Sequence, residues 1–80
     1  MIDKVKRQVE CLVDDLLSRA SQSVSILVVY DANKSEAHIY LNGRKIATIS
    51  EQVTFFNWPL PSEEITRLYK ACVEPIAEEV

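Results

Sequence analysis

Apolar residues at Ile2, Val5, Val9, Leu12, Val13, Leu16, Leu17 and Ala20 recur at steps of three, four and one. That spacing makes one broad apolar face at helical period and predicts a helix over residues 2–20. Asp3 stands where a first-turn acid is favoured, next to the partial positive charge of the helix N-terminus. Lys4, Glu10, Asp14 and Ser18 fall on the opposite face, and Ser21-Gln22-Ser23 ends the pattern.

The period then changes. Val24 to Tyr30 is rich in β-branched and aromatic residues and reads as a strand. Val24, Ile26, Val28 and Tyr30 share one face; Ser25, Leu27, Val29 and Asp31 share the other. Large apolar residues on both faces predict a strand near the middle of the sheet or covered on both sides. Asp31-Ala32-Asn33-Lys34-Ser35 is a polar turn. Asn42-Gly43, set between two β-prone runs, is the favoured two-residue hairpin loop, because both positions need positive φ. With that loop, Leu41 opposes Arg44, Tyr40 opposes Lys45, Ile39 opposes Ile46 and His38 opposes Ala47. The expected core face carries Ala37, Ile39, Leu41 and Ile46. The second face carries His38, Tyr40, Lys45, Ala47 and Ile49.

Gln52 to Phe56 reads either as a short fourth strand or as the third strand continued past a bulge. Phe55 and Phe56 are adjacent, so in a strand they point to opposite faces and one is exposed. Asn57-Trp58-Pro59-Leu60-Pro61 is a stiff extended connection. Ser62 is a helix-cap residue followed by Glu63 and Glu64 in the first turn. Ile65, Leu68, Tyr69, Cys72, Val73 and Ile76 form the stripe of a second helix, which Pro75 kinks or ends near Glu74. The expected fold is α+β, one domain over residues 1–80. Its order is α-β-β-β-(β)-α, with an antiparallel sheet and two helices packed on one face.

Composition narrows the function classes. With 48% hydrophobic and 26% charged residues the chain is of ordinary globular make-up. The net charge of −3 argues against sequence-independent binding to nucleic acid, which needs clustered Lys and Arg to displace phosphate counterions. No apolar run approaches the length that spans a bilayer. The start, Met1 to Arg7, turns amphipathic at once and lacks the apolar core of a signal peptide. These features predict a cytoplasmic protein with no membrane association. The two cysteines, Cys11 and Cys72, both fall on apolar helical stripes and are expected to be free thiols.

No residue pattern has the spacing of an active site. His38 is the single histidine and has no partner at a recognisable spacing. Cys11, Cys72 and His38 are isolated, whereas zinc sites announce themselves by close pairs. Asp14-Asp15, Glu63-Glu64 and Glu78-Glu79 are adjacent residues, which do not face each other on a helix. The single glycine, Gly43, is used by the hairpin, so no phosphate loop exists. No catalytic residue, metal site or cofactor is expected.

The α-β-β-β-α order resembles that of double-stranded-RNA-binding domains, which grip phosphates with a basic cluster at the start of the last helix. That resemblance implies nucleic-acid binding as the alternative function. Here the last helix starts Ser62-Glu63-Glu64, and the loop from Asp31 to Glu36 offers only Lys34. The cations left for such a role are Lys4, Lys6, Arg7, Arg44 and Lys45, with Tyr40 for stacking.

The leading expectation is a small non-enzymatic module that acts by occupying the surface of a protein partner. A regulator, a chaperone, or an inhibitor of a host system made by a phage or mobile element is of this kind. With both helices on one side, Leu27, Val29, His38, Tyr40, Lys45 and Ile49 share the open side of the sheet. A mixed aliphatic and aromatic patch of that sort is typical of a contact surface. Trp58 is a further candidate contact. Burial of the same face in a homodimer is the competing use.

Overall fold

The computed structural model of the protein describes residues 3–19, 23–57 and 60–77. Helix α1 spans Asp3–Arg19, and the sheet follows as β1 (Ile26–Asp31), β2 (Glu36–Leu41), β3 (Arg44–Ser50) and β4 (Thr54–Phe56). Helix α2 (Ser62–Leu68), a π-helical turn (Tyr69–Val73) and α3 (Glu74–Ala77) run consecutively as the second helical segment. The strands lie in chain order, β1-β2-β3-β4, all antiparallel. The α+β architecture predicted from the hydrophobic pattern is therefore present.

The core lies between the sheet and the helices. Val5, Val9 and Leu12 from α1 and Leu68 from α2 meet Ala37, Ile39, Ile46, Ala47 and Ile49, all buried. Burial at five, nine and twelve is the 3.6-residue period of α1 turned toward the sheet. Val13 and Leu16 pack at its edge, with Ile26, Val28, Leu41 and Phe56 from the strands. Both helices thus cover one face.

Turn chemistry sets the hairpins. Asn42 has φ of 50° and Gly43 of 83°, the left-handed pair that a two-residue loop demands. Asn42 also ties β1 to the turn: its main-chain N–H donates to the Ser25 carbonyl at 2.8 Å, and its Oδ1 accepts from the Ser25 N–H at 3.0 Å. In the β1–β2 loop the Asp31 carboxylate accepts from the N–H groups of Asn33 and Lys34, a side chain mimicking a backbone turn. A Cβ added at Gly43 meets no atom within 4 Å. Gly43→Ala is therefore expected to cost only the backbone strain of that φ, about 1 kcal/mol. A shift in the urea midpoint with an unchanged slope is the check.

Three features depart from the sequence expectation, and a fourth decides between two alternatives. First, β3 carries a bulge: Tyr40 pairs with Lys45, yet Ile39 pairs with Ala47 and His38 with Thr48. Ile46 is the extra residue, and its carbonyl is satisfied by the Asn57 N–H at 2.7 Å. The bulge sends both Ile46 and Ala47 into the core and reverses the alternation beyond them. Ile49, expected on the open face, is consequently fully buried, and Thr48 takes its place there.

Second, β1 is an edge strand rather than a central one, because short hairpins keep chain order and the first strand has one neighbour. Third, the residue at the cap of α2 is Pro61, with φ −61° and ψ 150°; no side chain caps the helix, and Ser62 is its first residue. Fourth, of the two outcomes expected at Pro75, a kink or an end near Glu74, the helix does not end there. The Glu74 N–H bonds to the Tyr69 carbonyl five residues back, and this wider turn admits a proline, which has no N–H to give.

Within residues 51–56, Thr54–Phe56 form a separate fourth strand. The Ser50 N–H and hydroxyl both donate to the Val53 carbonyl, closing a tight turn before β4. At the far end, Arg19 of α1 pairs with Asp15 at 2.8 Å and with Glu64 of α2. These acids, Glu64 foremost by hydrogen bonding, raise the Arg19 pKa above its ordinary value. The guanidinium thus fastens the end of α1 to the start of α2.

Candidate functional site: the open face of the sheet

Strand alternation puts Leu27 and Val29 of β1, His38 and Tyr40 of β2, Lys45 and Thr48 of β3, and Phe55 of β4 on the side away from the helices. Two cross-strand rows result. One runs Val29–His38–Thr48–Phe55, and the other Leu27–Tyr40–Lys45. Each step across the sheet is about 4.8 Å, so the first row is roughly 14 Å wide. Leu27 is 56% exposed, Val29 44% and Phe55 61%. Buried side chains of these types stabilise a fold, and exposed ones on one surface are a standing driving force for association.

The polar members are held in place. Nδ1 of His38 lies 3.5 Å from the Thr48 hydroxyl, and Nε2 lies 3.5 Å from the Glu36 carboxylate. The imidazole is only 21% exposed. It sits as a spacer between the apolar ends of its row, with both ring nitrogens facing protein oxygens. Neither cysteine is near it.

Five of the sequence-predicted contact residues, Leu27, Val29, His38, Tyr40 and Lys45, are brought together on this face. Ile49 is removed from it by the bulge. Trp58 lies outside the described residues. Phe55 was recognisable only as one of two alternatives, since the choice between it and Phe56 required the β3–β4 register. Of the residues considered for nucleic acid, Lys4, Lys6 and Arg7 ride on α1, on the covered side, Arg44 pairs with Leu41 at the hairpin end, and Tyr40 and Lys45 stand on the open side. The Lys4 ammonium donates to the Glu51 carbonyl at 2.7 Å.

Comparison with protein-family models, with curated proteins and with solved structures gives no match.

Elsewhere on the molecule, Cys11 and Cys72 are neighbours across the seam between α1 and the π turn. They border a broad open groove of about 570 Å³ together with Asp14, Asp15, Ser18 and Ala71. Both are free thiols. Burial, followed by a hydrogen bond and electrostatic interaction with Cys11, pushes the Cys72 thiol up to about 12 from 9.0. A nucleophilic cysteine needs the opposite, an environment that favours thiolate. Among the described residues, no three His, Cys, Asp or Glu side chains stand together as a metal would require. No described helix is long and apolar enough to cross a membrane.

The Cys72 shift carries a sign for stability. The thiol ionises from pH about 9 in the unfolded chain but stays neutral to about 12 when folded. Its contribution is fully present below pH 9 and is lost as pH rises toward 12. The melting temperature of the native protein is expected to fall more steeply above pH 9 than that of Cys72→Ala, as followed by circular dichroism.

Proposed function

We propose that this protein is a non-enzymatic binding module that occupies the surface of a protein partner with the open face of its sheet. The observation that carries this reading is the exposure of Leu27, Val29 and Phe55 on one side of a sheet whose other side is filled by the helices. Rows that mix apolar ends with His38, Thr48 and Lys45 match the make-up of transient interfaces, an apolar centre with polar groups interspersed. Tyr40, half-buried beside Leu27, supplies the aromatic anchor typical of energetic centres. Regulators, chaperones and the small inhibitors made by phages or mobile elements act in this way. Function in the cytoplasm, with both thiols reduced, belongs to the same reading.

Affinity capture from the native host tests it. The wild-type chain is expected to retain a specific protein. Leu27→Asp and Phe55→Asp are each expected to weaken that interaction by about thirtyfold or more, the equivalent of ~2 kcal/mol. Both side chains are exposed, so the circular dichroism spectrum is expected to stay unchanged. Equal capture by wild type and both variants would refute the assignment of the face.

A further inference from the structure

Among the described residues, β1 is an outer strand of the sheet, and no strand pairs with its far edge. In the β1–β2 ladder the Asn42 N–H bonds to the Ser25 carbonyl, which places Ser25 in a hydrogen-bonded pair. Pairs alternate along an antiparallel ladder. The main chains of Leu27, Val29 and Asp31 therefore face β2, and those of Ile26, Val28 and Tyr30 face outward from the sheet.

Edge strands are normally blunted by lysine, proline, a bulge or very short length, because a free row of N–H and C=O groups is a template for pairing. At the other edge β4 has only three residues. β1 has six, and the five from Ile26 to Tyr30 are all large and apolar, with no charge and no proline. Three of them, Leu27, Val29 and Tyr30, are 44–56% exposed.

We propose that β1 pairs antiparallel with β1 of a second copy of this chain, about a two-fold axis through Val28. The sequence of the strand favours its twin as the occupant. Centring the pairing on Val28 sets Ile26 opposite Tyr30 of the second copy, Leu27 opposite Val29, and Val28 opposite Val28. Every cross-edge pair among Ile26 to Tyr30 sets large, uncharged side chains against each other. Asp31 falls opposite Ser25, so the acidic ends of the two strands never meet, although the chain carries a net charge of −3.

The outward groups of three residues per copy then close six main-chain hydrogen bonds. The axis is perpendicular to the sheet, so the helices of both copies lie on the same side. The two open faces merge into one surface of eight strands, with Leu27 and Val29 of both copies at its centre. The pairing deepens the reading of that face as a docking surface, since the second copy supplies half of the doubled face. It needs no other partner to form.

Gel filtration with light scattering on the purified chain, over rising concentration, is the first test, with amide exchange by NMR alongside it. The expected mass is twice that of one chain at high concentration. The amides of Val28 and Tyr30 are expected to gain protection comparable to those of Leu27 and Val29 as the dimer forms. Leu27→Lys combined with Val29→Lys sets lysine against lysine in both flanking pairs and is expected to raise the dissociation constant about tenfold or more. Leu27→Lys combined with Val29→Glu sets opposite charges in the same pairs and is expected to restore the dimer.

A chain that stays monomeric at every concentration would overturn the proposal. So would a dimer in which the Val28 and Tyr30 amides exchange freely, which would point to face-to-face packing instead. If the charged variants do not fold, the exchange pattern of the wild type decides. Because no partner is present in these measurements, their failure leaves the capture experiment with Leu27→Asp and Phe55→Asp to stand or fall separately.

Discussion

Ile39→Ala is expected to remove about 2–5 kcal/mol of stability, the range for truncating a fully buried aliphatic side chain. Ile39 is 0% exposed and lies on β2, an inner strand paired on both sides. Its side chain stands in the core cluster with residues of both helices. Truncation removes apolar area from burial and leaves a cavity that α1 and α2 cannot both close, because each is anchored at other points. One such anchor is the link from Arg19 to Glu64. A domain of this size has roughly 4–12 kcal/mol in total, so the loss is a large share of it. The midpoint of thermal unfolding is expected to fall by roughly 8–40 °C, at 4–8 °C for each kcal/mol. Leu27→Ala is the matched control. Its side chain is more than half exposed, and a change within about 0.5 kcal/mol is expected. A comparable loss from both variants would mean that the open face is not open.

The second large effect concerns a residue that periodicity alone passes over. Gln8 is 2% exposed, yet polar. Its Nε2 donates to the Val73 carbonyl in the π turn at 3.3 Å, and its Oε1 accepts from the Thr54 hydroxyl of β4 at 3.4 Å. One amide therefore joins α1, the second helix and the short edge strand. Gln8→Glu keeps the shape but replaces the donor with a carboxylate oxygen facing a carbonyl. A buried charge without its hydrogen bond is costly, and a loss of about 2–4 kcal/mol at pH 7 is expected. The sign with pH follows from burial. The new carboxyl would have its folded pKa raised above the ordinary value of about 4.3. The variant is then nearest to the wild type below that pH and falls behind as pH rises through its folded pKa. Urea titrations at acidic and neutral pH provide the comparison. A pH-independent difference would show that the Val73 hydrogen bond does not carry the effect.

Gln8 also shows why part of the site and core was hidden. It lies between Val5 and Val9 on the inward arc of α1, but its type reads as solvent-facing. Only the neighbouring carbonyl of Val73, brought near by the second helix, makes its burial acceptable. Pro75 read as a kink or an end of the helix near Glu74, and the π turn that presents this carbonyl is a feature that reading did not contain. In the same way, apolar residues on both faces of β1 suggested a strand near the middle of the sheet or covered on both sides. The structure instead shows an edge whose second apolar row is surface, and it is this row that supplies Leu27 and Val29 to the candidate site.

Local physics was enough for several features. The inward face of α1 follows from the spacing of Val5, Val9 and Leu12, since helical period is a property of adjacent turns. The β2–β3 turn follows from Asn42-Gly43, where only two residues need adopt positive φ. The opposite facing of Phe55 and Phe56 follows from the pleat alone. What the tertiary structure decided was register and partnership. The extra residue at Ile46 moved Ile49 and Ala47 into the core and put Thr48 on the open face, because a bulge is selected by how the whole sheet fits under two helices. No nearest-neighbour preference in Arg44 to Ser50 encodes that fit. The identity of the exposed face therefore came partly from alternation within each strand and partly from a one-residue shift that only packing could set.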